Sequence, residues 1–216
     1  MKTASWTDAL EERLGHWAIP HITRGIVALN ALVFVLNLIN PEFVRDLALD
    51  PSAVARGEVW RLASFLFIPD TRNILFLVLY LLFTWFVGEA LESEWGAFKL
   101  NLYFLTGMIG TAIAAFAFVK GQVDNFYLHA SLLLAFGTVF PRMELMLFPL
   151  PIPIQARFLA MFSGLLLVLA AVFAPFAVAA ALLNYILFFL PPVVEAWREQ
   201  RKSAKRMKAF RDRDNR

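Results

Sequence analysis

Long apolar runs separated by short polar or proline-bearing stretches dominate this chain. The first run extends from about Ile22 to Ile39, interrupted only by Arg24, Asn30 and Asn37. A mixed loop follows over residues 40–71 and carries Pro41, Pro51 and Pro69. Within it, Val59–Ile68 is too short to cross a bilayer and is expected to dip into one leaflet. A second span is expected over Ile74–Leu91 and, after a turn holding Glu92 and Glu94, a third over Phe98–Val119. A fourth, Phe126–Phe140, stops at Pro141. Pro149, Pro151 and Pro153 exclude one regular helix over 141–155, so a stiff connection is expected there. From Ala156 to Leu190 the chain would run about 50 Å as helix, beyond the roughly 30 Å of hydrocarbon. Pro175 is the natural break, giving spans five and six as a tight hairpin. The pattern predicts an all-α, polytopic membrane protein with six transmembrane helices. Residues 1–21 form an N-terminal segment, 22–194 the membrane domain and 195–216 a tail. In the N-terminal segment Ser5 and Asp8 resemble a capping box, and Trp6, Leu10, Leu14 and Trp17 recur near helical spacing. It reads equally as an interfacial amphipathic helix or a short soluble cap.

Composition agrees with a lipid solvent. Hydrophobic residues make up 60% of 216 positions, with 22 Phe and a mean hydropathy of +0.64. With no cysteine there is no disulfide, thiolate nucleophile or cysteine metal site, and only His16, His21 and His129 offer imidazole. No metal site and no cofactor are expected. Lys2, Arg13, Arg24, Lys99, Arg142, Arg157 and nine tail cations fall on one side if both termini are cytoplasmic. Arg45, Arg56, Arg61, Arg72 and Lys120 fall on the other, a bias that favours an even span number. The expected location is a bacterial cell (inner) membrane with both termini cytoplasmic.

Several short motifs occur in a suggestive order. Gly57-Glu58-Val59-Trp60-Arg61-Leu62 lies in the first loop, and Gly88-Glu89-Ala90-Leu91-Glu92 followed by Trp95-Gly96 closes the second span. Tyr103, Gly107 and Gly110 lie on the third span, and Phe140-Pro141-Arg142 ends the fourth. Gly107, Thr111 and Ala115 repeat every fourth residue, a face that lets helices approach closely. Trp60 and Arg61 suit an interfacial loop, the ring at headgroup depth and the guanidinium reaching phosphate. Glu89 and Glu92 share a helical face and are expected to cap or pair near the start of span three. Over residues 25–190 this order resembles the rhomboid superfamily, which implies a six-helix rhomboid-like bundle.

The resemblance also implies chemistry that these residues do not supply. Rhomboid proteases use a serine in a G-x-S-G motif opening span four and a histidine on span six. Serine needs a base to take its proton, and the attacked carbonyl needs donors for its developing charge. Here span four opens Phe126-Tyr127-Leu128-His129-Ala130-Ser131. Aligning on Gly137 puts His129 at the nucleophile position; aligning on Pro141 puts Phe126 there. Asn184 stands nearest the missing histidine, and Phe76 and Tyr80 fall where the family keeps oxyanion donors. Phe188 occupies a place where a glycine would let span six approach span four. Ser131 and His129 point about 200° apart on a helix, so they do not form a dyad. Ser131 is expected to bond its own helix backbone. His129, an ionisable group in a span, is expected to pair with Asp124, Tyr127 or Asn184.

The resulting expectation is a rhomboid-like protein that is not a protease. By analogy with inactive relatives such as derlins, it would bind transmembrane segments of other membrane proteins in quality control, trafficking or regulation. The alternatives are an intramembrane serine endopeptidase working through Ser131 and, less well supported, a transporter. The lipid bilayer is the first partner, and the basic tail adds expected attraction to anionic lipids. No motif for nucleic acid accompanies that charge.

Overall fold

The apolar runs fold into a helical bundle in the computed structural model, which describes residues 6–69, 71, 73–118, 125–146 and 153–190. Ser5, Lys120, Asp124, Pro149, Pro151 and the tail 195–216, on which several expectations fall, lie outside the described residues. In chain order the helices are α1 (Trp6–Leu14), α2 (Ile22–Ile39), α3 (Glu42–Leu47), α4 (Pro51–Ala55) and α5 (Arg61–Ser64). They continue as α6 (Ile74–Trp95), α7 (Ala97–Phe118), α8 (Phe126–Val139), α9 (Ala156–Ala170) and α10 (Pro175–Leu190). Among the described residues α2, α6 and α7 are long and apolar enough to cross a membrane. The apolar helices α8 and α9 have 14 and 15 residues, shorter than the roughly 20 a full crossing needs.

Two expectations change here. The connection after α8 is not merely stiff: β1 (Glu144–Met146) pairs antiparallel with β2 (Pro153–Gln155), with Leu145 opposite Ile154. The fold is therefore not purely α. Prolines exclude a helix interior but not an extended edge, and Pro153 sits at the end of a strand. The first loop is not one plain apolar segment either. Its short helices α3–α5 wrap a polar knot, built around Arg61.

Close helix approach comes from glycine. A methyl group on Gly88 would collide with Thr23 across the α2–α6 contact, and one on Gly107 would collide with Leu128 of α8. Gly137 likewise abuts Ala160 and the carbonyl of Ala156, which seats α9 on α8. In lipid there is no hydrophobic drive between helices, so such contacts and interhelical hydrogen bonds hold the bundle together. Ser163 of α9 donates to the carbonyl of Ala130 in α8 at 2.7 Å. The main core gathers Ile26, Val87, Leu100, Tyr103, Leu132 and Phe136 from four helices. At one end, α1 closes onto the bundle through the Asp8–Lys99 ion pair at 2.6 Å and Trp6 against Phe188. Gly88→Val is expected to lower unfolding stability in detergent by about 1–3 kcal/mol through overpacking against Thr23. Gly25→Ala, whose added carbon meets nothing, is expected to be neutral or slightly stabilising in the same measurement.

Candidate functional site: a cleft between three helices

The loop that precedes α6 is fixed first, because it sets the outer rim of the cleft. Arg61 is only 6% exposed and spends its guanidinium within the loop. It donates to the carbonyls of Ala48 (2.9 Å) and Arg45 and forks onto Glu58. Trp60 donates its indole N–H to the carbonyl of Asp46 at 3.1 Å. The expectation of a guanidinium reaching lipid phosphate is thus corrected: a five-donor fork suits an inward turn that leaves three carbonyls or carboxylates in want of donors. Asn125, 2% exposed at the start of α8, ties this loop to the bundle through the carbonyls of Leu66 and Ile68, each at 3.0 Å.

Inside that rim, Tyr80 of α6 and His129 of α8 meet. The phenol oxygen lies 2.9 Å from Nε2, and Nδ1 lies 3.0 Å from the carbonyl of Asn125. A carbonyl can only accept, so Nδ1 carries the proton and Tyr80 donates to Nε2. Tyr80 and the Asn125 carbonyl are thus partners of His129 that the sequence did not name, and Asn184 lies elsewhere, against Thr106 and Tyr103. Two adjoining cavities of about 200 and 420 Å³ share Tyr80, Phe126 and His129. The smaller runs between α6 and α9 toward Thr84 and Phe162; the larger opens past Phe76 toward Thr71.

Ser131 is on the other side of α8. It is fully buried, donates to the carbonyl of Leu128 at 2.8 Å and accepts from the Tyr103 hydroxyl at 3.0 Å. Tyr103 is itself walled in by Phe188 and Trp95, with ring centroids at 5.0 and 5.6 Å. Phe188 thus fills the space beside α7 with an aromatic ring. Asn184 of α10 accepts from Thr106 at 2.7 Å and donates to the carbonyl of Tyr103 at 3.2 Å. Gly107 gives Leu128 and Asn184 their room, and Gly110 faces Ala180. Of the residues singled out from sequence, Phe76, Tyr80 and His129 come together; Ser131 and Asn184 belong to the α7 contact instead.

Glu89 and Glu92 join α6 to α2, not to α7. Arg24 forks onto Glu89 at 2.7 and 2.9 Å, and the backbone N–H of His21 donates to Glu92 at 2.7 Å. His21 is held left-handed (φ 55°) at the start of α2 by that contact. The expected pairing near span three is corrected, because the opening of α2 supplies both a cation and unpaired N–H groups beside the end of α6. His21, Glu89 and Glu92 also bring three metal-ligand atoms within 4.8 Å of one another. Arg24 already supplies positive charge there and offsets the carboxylates at this helix junction.

Residues 22–121, a little under half of the chain, match the model of a family described as "Eukaryotic integral membrane protein (DUF1751)". The match covers α2, α6 and α7, the three helices of crossing length. The chain is an integral membrane protein. No curated protein matches it, and no solved structure does. The family's eukaryotic description overturns the bacterial inner-membrane location expected from sequence. Cation bias reports orientation in any membrane and carries no information about the organism.

Polar side chains that motif reading passed over do much of the joining: Thr106, Asn125 and Ser163. Their signal was available, since hydrogen-bonding side chains inside apolar spans mark helix contacts. Ser131→Ala is expected to cost about 1 kcal/mol of stability by leaving the Tyr103 hydroxyl buried and unpaired. Combining it with Tyr103→Phe should recover part of that loss in a double-mutant cycle.

Proposed function

We propose that this chain is a rhomboid-like six-helix membrane protein without proteolytic activity. Its α6–α8–α9 cleft binds a transmembrane segment of another membrane protein. The observation that carries the reading is the placement of Ser131: its hydroxyl is committed to Tyr103 and Leu128 and is walled off from the cleft. The cleft itself supports binding. Its walls are apolar, Phe76 and Phe162 stand exposed at its mouths (61% and 57%), and Tyr80 and His129 place polar atoms at its centre. An apolar helix bearing one polar side chain matches that lining.

The protease alternative works through Ser131, whose partners are Tyr103 and the Leu128 carbonyl; the hydroxyl that lies beside an imidazole is instead that of Tyr80. Phenol chemistry speaks against that hydroxyl as a nucleophile. A phenolate, with a conjugate acid near pKa 10, is expelled from a tetrahedral intermediate far more readily than a serine alkoxide, and so outcompetes the amine even where an imidazolium protonates that nitrogen. Attack on an amide would therefore revert instead of cleaving.

A photo-crosslinking side chain at position 162 tests the proposal in reconstituted full-length protein with a model transmembrane peptide. Adducts are expected at 162 and not at 173, whose Phe is 89% exposed on the α9–α10 turn. The peptide should remain intact. Equal labelling at both positions would remove the binding proposal. Cleavage lost in Ser131→Ala or His129→Ala would establish the protease reading.

A further inference from the structure

A second apolar groove, of about 860 Å³, lies between α2 and α7 on the face away from the cleft residues. Leu66 and Phe67 line one end, and the chain from Leu14 to Pro20 crosses the other as a roof. Asn101 of α7 fastens the roof with two hydrogen bonds, accepting from the N–H of Ile19 at 3.2 Å and donating to its carbonyl at 2.9 Å. The roof is itself lipophilic: Trp17 is 77% exposed and Ile19 59%.

Gly25 of α2 lines this groove. Glycine weakens a helix relative to alanine. Gly88, Gly107 and Gly137 offset that cost by admitting a neighbouring element, whereas a side-chain carbon at Gly25 would meet nothing within 4 Å. Its missing side chain makes room for nothing in this chain. The space it leaves is in a wall formed by two helices of crossing length, about one turn into α2 from the roof, in a groove that continues past Leu29 and Met108.

We propose that the groove holds one acyl chain of a membrane phospholipid, with the ester end at the level of the roof. Trp17 there has the amphipathic ring suited to the membrane interface. A void of this size would forfeit dispersion contacts along both helices, and a flexible hydrocarbon chain restores them. A partner helix fits less well, because the fastened roof crosses the end by which it would leave the groove.

Native mass spectrometry of the full chain in mild detergent, with palmitoyl-oleoyl phosphatidylcholine as the probe, tests this. One lipid per chain is expected to survive dilution into lipid-free detergent. Gly25→Leu puts four carbons into the groove beside the roof and should lower retention at least about tenfold, as the loss of a few methylene contacts would. Leu105→Trp, on the opposite wall, gives a second variant should the first fail to fold. Val168→Phe adds bulk to a lipid-facing site on α9 (65% exposed) and should retain lipid like the natural chain. Equal retention by all variants would overturn the proposal. So would a lipid-free homodimer that Gly25→Leu dissolves, since the groove would then be a helix-docking face.

Discussion

The hydrogen bond from Tyr103 to Ser131 decides what this bundle is able to do. A hydroxyl at hydrocarbon depth has no water to turn to, so it must find a partner within the protein. Ser131 finds two, the Leu128 carbonyl and Tyr103, and both lie toward α7. That commitment orients α8. With Ser131 facing α7, the residue two places earlier, His129, faces α6, where Tyr80 receives it. The same rotation that satisfies the serine removes it from the cleft and puts imidazole and phenol there instead.

Other polar contacts keep that rotation fixed. Asn125 holds the opening of α8 against the loop carbonyls, Ser163 pins α9 to α8, and Asn184 closes α10 onto α7. Arg61 keeps the loop folded on itself, so the rim of the cleft is stiff where it meets α8. The contacts of Asn125, Ser163 and Asn184 lie between elements far apart in sequence, and the small residues Gly88, Gly107 and Gly137 allow the helices near enough to one another. Polar and small residues thus supply specificity that apolar packing alone, surrounded by apolar lipid, would not.

The helices were legible because their signal is local. Hydropathy over Ile22–Ile39 places α2 where the structure has it, and Pro141 and Pro175 mark real breaks. The missed side-chain pairings are non-local. Nothing adjacent to Glu89 names Arg24 as its partner, 65 residues away, and nothing beside His129 names Tyr80, 49 residues away. Motif spacing did place Tyr80 and His129 among the positions of one site, but not in contact. The β1–β2 ribbon was hidden because three-residue strands carry too little period to read. Arg61 was misread because an exposed-looking sequence context gives no hint of which carbonyls the loop will turn inward.

The lack of native cysteine makes the side of α8 that Ser131 occupies directly measurable. Single substitutions Ser131→Cys and Phe162→Cys in reconstituted protein would be exposed to a membrane-permeant maleimide and their labelling rates compared. Phe162→Cys should react readily, and Ser131→Cys should stay protected until the protein is unfolded. Equal rates at the two positions would place the Ser131 side chain in the cleft and contradict the account.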